Sequence, residues 1–161
     1  PVDSPELRSD PLFEEDLVLV APHDHPLARR RSVSLTALAR LELLLPLGGT
    51  PIRREIDAAA QAHGVELRPL LEMDGLRTIA SLTFDGFGLA VLPASMVTPR
   101  LRNQFASVRV DGLPRRRVVV AARRFGFPPA PARAIGSLLS EVVAGVADPP
   151  PGVHVGARPP R

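Results

Sequence analysis

The sequence contains no cysteine, tryptophan, tyrosine or lysine. Without cysteine, the chain can form neither a disulfide nor a thiolate metal site. Without tryptophan and tyrosine, six phenylalanines provide little material for stacking on nucleic-acid bases. Without lysine, all 20 basic residues are arginine, and the net charge is only +3. The composition therefore gives little indication of nucleic-acid binding.

Long apolar runs are also absent, because no stretch approaches the roughly 20 residues that a membrane-spanning helix requires. The first residues lack the basic and apolar regions of a secretory signal. The 161 residues, 45% hydrophobic and 23% charged, suffice for one ordinary domain with a buried core. We therefore expect a globular, cytoplasmic protein without membrane contact.

Arginines are grouped at residues 29–31, 115–117 and 123–124. Nucleic-acid contact and solvated surface are the two interpretations of such groups. Because they lie far apart in sequence and are not interleaved with stacking aromatic residues, the pattern favours solvated surface. We expect that this chain alone does not bind DNA.

Residues 72–95 contain a strand, a helix and a strand in close succession. An apolar run ends at Met73, where Asp74 is placed to cap a helix. Apolar residues then recur at helical spacing up to residue 84, and Gly86 stands where a helix end favours a left-handed residue. Residues 89–92 form a short apolar strand. Such a unit is typical of a parallel sheet, in which loops at the carboxyl ends of strands bind ligands.

The same alternation extends over most of the chain. We predict helices near residues 35–40, 51–63, 76–84, 94–97 and 132–146, and strands near residues 17–21, 41–45, 69–73, 89–92, 107–110 and 117–122. Residues 1–13 show no usable periodicity, and residues 147–161 form a Pro- and Gly-rich tail that we expect to be disordered. The pattern predicts an α/β fold with a mostly parallel sheet.

An ordered series of short motifs carries a resemblance to a known family. The series comprises Leu17-Val18-Leu19-Val20-Ala21-Pro22, His25-Pro26-Leu27-Ala28, Ser34-Leu35-x-x-Leu38, Leu43-Leu44-Leu45-Pro46, the helix with Arg54 and Ile56, and Gly86-x-Gly88 before Leu92-Pro93. In order and spacing, residues 10–145 resemble the C-terminal effector-binding domain of LysR-type transcriptional regulators. Thr83, Phe84 and Asp85 depart from the small apolar residues that the family usually has before this glycine.

The resemblance implies a fold similar to type II periplasmic binding proteins, in which two α/β subdomains are joined by two crossover strands. We expect one complete Rossmann-like subdomain and part of a second. Residues 1–22 would hold the remnant of the first subdomain and the first crossover strand, and residues 23–115 the second, effector-binding subdomain. Residues 116–146 would hold the second crossover strand and a helix that returns to the first subdomain. On this interpretation the chain is an N-terminally truncated fragment without a helix-turn-helix.

Truncation would remove elements of the first subdomain. The apolar faces that those elements would cover on the rest of the chain would then be exposed. In the family, subunits pair side by side, and a helix in the first subdomain of one subunit packs against a helix in the second subdomain of the other. Residues 51–63 would supply the second-subdomain helix of this contact, but the first-subdomain helix would be missing. We therefore expect little native-like dimerisation and a tendency of the chain to self-associate through uncovered apolar faces.

The candidate binding site consists of two loop segments that contain Leu47, Gly48, Gly49, Thr50, Met73 and Asp74. The first segment precedes a helix, and the N–H groups and dipole of a helix N-terminus suit an anion such as a carboxylate. Thr50 adds a hydroxyl donor. The resemblance places effector contacts in this loop and near Met73. The alternative is an ordinary turn in which Thr50 caps its helix, and capping is also the favoured role of Asp74, which would repel an anion.

Other constellations predict no chemistry. His23, Asp24 and His25 form a short turn without a further ligand at metal-binding spacing, and the serines lack the Gly-x-Ser-x-Gly context of a nucleophile. We expect no metal, no cofactor and no catalytic residue. The first functional hypothesis is a small-molecule-sensing domain of a LysR-type regulator whose parent is a DNA-binding homo-oligomer. The alternative is a solute-binding protein of a transport system with the same fold.

Overall fold

The computed structural model describes residues 4–126 and 128–156. The elements in chain order are β1 Leu7–Glu15, β2 Leu17–Pro22, β3 Ser32–Ser34, α1 Leu35–Leu38, β4 Glu42–Pro46, α2 Pro51–Ala62, β5 Arg68–Met73, α3 Leu76–Phe84, β6 Leu89–Pro93, β7 Phe105–Asp111, β8 Arg116–Arg123, α4 Ala130–Ala144 and β9 Val153–His154. Short 3-10 helices occur at Pro26–Arg29, Ala94–Met96 and Leu101–Asn103. Within the described ranges, no helix has the length and apolar character needed to cross a membrane.

The chain forms two compact units. The larger unit contains Asp16–Arg115 and Pro150–Gly152, and the smaller unit contains the described residues before Asp16 and the remaining ones after Arg115. The chain passes from one unit to the other four times, at residues 15/16, 115/116, 149/150 and 152/153.

A six-stranded sheet in the order β3-β7-β2-β6-β4-β5 forms the centre of the larger unit. β3 is parallel to β7, and β4 is parallel to both β5 and β6. β2 lies antiparallel to both of its neighbours, β6 and β7. The described sheet is therefore mixed, because β2 runs in the opposite direction to its other five strands. Those five strands share one direction, as expected for a mostly parallel sheet.

β2 is a central strand, buried from Leu17 to Ala21. Its continuous apolar run is typical of a strand that is covered on both faces. The sequence analysis predicted this strand as the first crossover between the two subdomains. The strand belongs to the larger unit, which the chain enters one residue earlier, at Asp16.

The core of the larger unit lies between the sheet and its helices. Leu43 and Leu45 of β4 belong to the main hydrophobic cluster together with Ile52 and Ile56 of α2, while Leu44 does not. This division follows the alternation of side chains along a strand. α3 packs against β4 and β6. The apolar faces predicted for α2 and α3 therefore fix both helices to β4, the strand that leads into residues 47–50.

The C-terminal end of α3 confirms the prediction for Gly86, which has a φ angle of +84°. The Gly86 amide donates to the Thr83 carbonyl at 3.1 Å, and the Phe87 amide donates to the Leu82 carbonyl at 2.9 Å, which is the pattern of a Schellman motif. The unusual residues before Gly86 fit this site. The Thr83 hydroxyl donates to the Ile79 carbonyl at 2.9 Å.

The smaller unit is a three-stranded antiparallel sheet, β8-β1-β9, with α4. β1 had no usable sequence periodicity because Pro11 and charged residues interrupt it, and its register shifts between Pro11 and Phe13. β9 lies in the tail that we expected to be disordered, where Val153 pairs with Glu15. Both strands depend on partners distant in sequence, which local patterns do not reveal. The part of that tail after residue 156 lies outside the described residues.

α4 leaves the apolar face predicted from its sequence exposed to solvent within the smaller unit. Ile135, Leu138 and Val142 are each 58–60% exposed. Contiguous exposed apolar side chains of this size mark association surfaces. The helix therefore offers a route to self-association.

We expect the 161-residue chain to form concentration-dependent oligomers through this face, measured by light scattering after size exclusion. Replacing Leu138 and Val142 by Glu should return it to the monomer mass, because two charges would have to be buried in the contact. The matched control is A134E/S137E, which adds the same charge on α4 without removing a large apolar side chain. A monomeric parent chain, or equal masses for the two double variants, would contradict this assignment.

Candidate functional site

The two predicted loop segments meet at one edge of the six-stranded sheet. β4 and β5 are parallel neighbours, and their last residues, Pro46 and Met73, are paired in register. The Leu47 amide donates to the Met73 carbonyl at 2.9 Å. The structure therefore brings the loop of residues 47–50 beside Met73, at the carboxyl edge of the strands where α/β proteins bind ligands.

The loop itself is open. Leu47, Gly48 and Gly49 are exposed, and no atom of the described chain lies within 4 Å of a Cβ placed on either glycine. Gly49 has a φ angle of +84°, which residues other than glycine adopt only with strain. A ligand could approach this backbone closely because neither glycine carries a side chain.

Thr50 does not play either predicted role in full. It occupies the N-cap position of α2, but its side chain makes no capping hydrogen bond. Its hydroxyl instead donates to the Leu47 carbonyl at 2.8 Å. Since that proton is already used, Thr50 closes the loop on itself and can offer a ligand only its oxygen lone pairs.

The first turn of α2 contains N–H groups that Thr50 does not cap. Pro51 has no N–H group, and the Thr50 side chain leaves the N–H groups of Ile52 and Arg53 uncapped. First-turn N–H groups have no acceptor within their own helix, and the dipole adds positive potential there. A carboxylate above the loop would satisfy both conditions.

Asp74 does not cap α3, contrary to the prediction. The N-cap is Gly75, with a φ angle of +85°, and it has no side chain with which to cap. The helix begins at Leu76, as predicted, but the N-cap position falls on Gly75 rather than Asp74, with a left-handed φ angle that glycine adopts without strain. Asp74 is left exposed beside Met73.

Arg53 is the residue of this region that the sequence analysis missed. Its side chain is only 11% exposed. Nε donates to Asp57 Oδ1 at 2.8 Å, and Nη1 donates to the Pro46 carbonyl at 2.9 Å and pairs with Glu72. Burial alone would lower the pKa of Arg53, but the bonds to Asp57 and Glu72 outweigh burial and raise that pKa above its ordinary value. The only signal in the sequence was a charged residue on an amphipathic helix. Arg54 gives the same signal, so the sequence did not distinguish the two arginines.

The strand order points to a second segment near the candidate site. After β4 the chain passes through α2 to β5, whereas after β6 it passes to β7 on the opposite side of β2. Neighbouring strands whose connections leave in opposite directions create a crevice at their carboxyl ends. By this rule a crevice is expected between the segments that follow β4 and β6, which are the loop of residues 47–50 and Ala94–Met96; Ser95 is exposed in the second of them. Because sequence alone does not reveal strand order, this segment was not predicted.

The arginines of residues 115–117 lie opposite acidic residues. Within the larger unit Arg115 Nε is 3.1 Å from Asp16 Oδ1. Within the smaller unit Arg116 lies 3.4 Å from Glu15, and Arg117 lies 3.8 Å from Glu14. These pairs reduce the positive field of the group, which agrees with the interpretation as surface rather than a phosphate-binding site.

The His23-Asp24-His25 turn has structural roles for both histidines. His23 Nε2 lies 2.8 Å from the Arg102 carbonyl, and His25 Nδ1 accepts from the Leu27 amide at 3.3 Å. Among residues 4–126 and 128–156, no three His, Cys, Asp or Glu side chains are grouped as a metal site would require.

Comparison with known protein families gives a match to the LysR substrate binding domain over residues 1–144. This chain belongs to that family. The LysR chain is 32% identical over 127 residues to a probable hydrogen peroxide-inducible genes activator of Streptomyces viridosporus, covering 76% of this chain and 41% of that protein. It is 29% identical over 147 residues to the protein of that description from Mycobacterium leprae, covering 89% and 47%. The chain thus spans less than half the length of these relatives.

Solved structures share the fold of this LysR chain. The regulatory domain of CcmR from Synechocystis PCC6803, in complex with 2-PG, has a TM-score of 0.75 and 24% identity, covering 91% of this chain and 71% of that one. The effector binding domain of QuiR in complex with shikimate has a TM-score of 0.68 and 16% identity, covering 88% and 68%. These neighbours confirm the predicted α/β fold similar to type II periplasmic binding proteins.

Proposed function

We propose that this chain senses a small-molecule effector for a LysR-type transcriptional regulator and that its larger unit holds the ligand. The observation that carries the proposal is the open loop of residues 47–50, which stands at the carboxyl edge of the sheet with the N-terminus of α2 uncapped by Thr50. Exposed N–H groups at a helix N-terminus are suited to an anion. Family relatives are regulators rather than enzymes, which favours sensing over catalysis and over solute transport.

The proposed effector is a small carboxylate that also carries a hydrogen-bond donor. The carboxylate would approach the α2 N-terminus, where the dipole stabilises negative charge. Asp74 is exposed beside Met73 and accepts hydrogen bonds, so it would repel a bare anion but bind a hydroxyl or amino group. The solved relatives named above hold 2-PG and shikimate, which supports small polar ligands as a class.

A thiol-based response to peroxide lies outside the chemistry of this chain. Its relatives include probable hydrogen peroxide-inducible genes activators, yet the 161 residues contain no cysteine. Reversible peroxide chemistry on thiols needs a cysteine thiolate. Noncovalent effector binding is therefore the mechanism that we propose, with binding shifting the population between conformations of the regulator.

The regulator that we propose is a cytoplasmic homo-oligomer that binds DNA. This chain alone would contact the effector but not DNA, because the arginines of residues 115–117 face acidic partners. α2 and the edge strand β5, where Leu70 and Leu71 are about half exposed, would contribute to contacts between subunits.

The site is tested by calorimetric titration of the 161-residue chain with shikimate, 2-PG and other small carboxylates. We expect saturable binding of at least one of them. Replacing Thr50 by Val should weaken that binding by about tenfold, because the hydroxyl bond that closes the loop is lost. Thr36→Val is the matched control, since Thr36 is exposed on α1, which follows β3 at the far side of the sheet. Equal affinities for the Thr50→Val variant and the parent would place the site elsewhere.

A further inference from the structure

Arg53 connects the two halves of the proposed site through its buried guanidinium. Nη1 donates to the carbonyl of Pro46, the residue before the loop of residues 47–50, and pairs with Glu72, the residue before Met73. Nε is held by Asp57 one helical turn further along α2. One side chain therefore joins the helix, the end of β4 and the end of β5.

We infer that Arg53 is a positioning residue that holds the loop of residues 47–50 and the end of β5 at a fixed separation. Its role rests on the proposed effector site, because these are the two segments that the ligand would contact. A backbone hydrogen bond from the Leu47 amide to the Met73 carbonyl already connects them, and the Arg53 bonds connect the preceding residues, Pro46 and Glu72.

The shape of the guanidinium is essential to this role. Arginine presents several N–H donors in a rigid plane, so that one side chain can serve a carboxylate on each side and a carbonyl. Lysine has one nitrogen on a flexible stem and would lose at least one of these contacts. Because the side chain is almost fully buried, a lost partner is not replaced easily by water.

The arrangement also connects the proposed ligand-binding end of α2 to the edge strand β5. The backbone N–H of Arg53 lies in the first turn of α2, where an anion would bind, while its side chain ends on Glu72 of the edge strand β5. A movement of the helix N-terminus on binding would therefore change the position of that edge.

Amide hydrogen exchange in the full 161-residue chain tests the inference without a ligand. Glu72→Gln keeps the shape of the side chain and removes its charge, and Glu72 is exposed enough to tolerate the change. We expect the Leu47 and Thr50 amides and those at the end of β5 to exchange about tenfold faster, because a charge-assisted bond is lost locally. Arg53→Lys should produce the same pattern more strongly. Amides of the central strand β2 should keep their protection.

The matched control is Arg54→Gln, which removes the charge of the next residue on α2, whose side chain is exposed. It should leave exchange in both segments unchanged. Unchanged exchange in Glu72→Gln would overturn the positioning role, whatever the variants at Arg53 do to stability. Uniformly faster exchange that includes β2 would also overturn it, since this would show only global destabilisation.

Titration of the same variants with shikimate and 2-PG separates this inference from the proposed function. Locally faster exchange together with weaker probe binding would support both. Locally faster exchange in a chain that binds neither probe would support the positioning role and count against the proposed effector class.

Discussion

Replacing Leu45 by Ala should lower the free energy of unfolding by about 3 kcal/mol. Leu45 is 0% exposed in β4 and belongs to the hydrophobic cluster that joins β4 to α2. The substitution removes apolar contacts and leaves a cavity that the surrounding side chains cannot refill, because α2 is held to the sheet at several other points. Since β4 leads directly into the loop of residues 47–50, the loss should also reduce effector binding.

The matched control is Leu71→Ala on the neighbouring strand β5. Leu71 is 48% exposed, so its removal should cost less than about 1 kcal/mol. The chain has neither tryptophan nor tyrosine, and circular dichroism during urea denaturation is therefore the suitable measurement. Similar midpoints for the two variants would contradict the assignment of β4 to the core.

The same features that make Leu45 essential made its strand predictable. β2, β4 and β6 are short apolar runs that end at a proline, and each was predicted within one or two residues of its observed bounds. The loop of residues 47–50 followed from two glycines and a proline before an amphipathic helix. Local sequence determines such elements because burial, capping and turn chemistry act over a few residues.

Features that depend on contacts distant in sequence were not predictable in this way. β1 depends on its pairing with β8 and β9, and β9 on its pairing with β1. The reversed direction of β2 follows from its two neighbours and not from its own residues. In the site, Glu72 meets Arg53 only because β4 and β5 are adjacent and parallel.

The start of α3 shows a different limit. Asp74 and Gly75 both suit a position before a helix, and sequence rules favour the aspartate as the cap. The structure uses Gly75 because the chain must turn sharply after β5, which requires a φ angle of +85°. The tertiary path of the chain therefore decided a choice that local propensity alone would have made differently, and Asp74 is exposed beside Met73 instead of capping the helix.

Gly112 should be hard to replace, and Gly112→Ala should lower the free energy of unfolding by about 2–4 kcal/mol. Its φ angle is +97°, and an added Cβ would lie 2.9 Å from Leu35 Cδ1 and 2.8 Å from His63 Cε1. Leu35 is buried, and the His63 ring is fixed by a 2.9 Å bond between Nδ1 and the Ala59 carbonyl. Both the backbone and the neighbouring side chains would therefore resist the methyl group.

The contribution of crowding at Gly112 can be separated from that of the backbone by Gly86→Ala. Gly86 has a similar φ angle of +84°, but no atom of the described chain lies within 4 Å of its Cβ position. That variant should lose only about 1 kcal/mol, the cost of a left-handed non-glycine residue. Equal losses for the two variants, measured by circular dichroism during urea denaturation, would show that the contact between the end of β7, α1 and the last turn of α2 is looser than described. A larger loss at Gly112 would show that this contact closes the core on the side of the sheet opposite the edge strand β5, where β3 and β7 meet the helices.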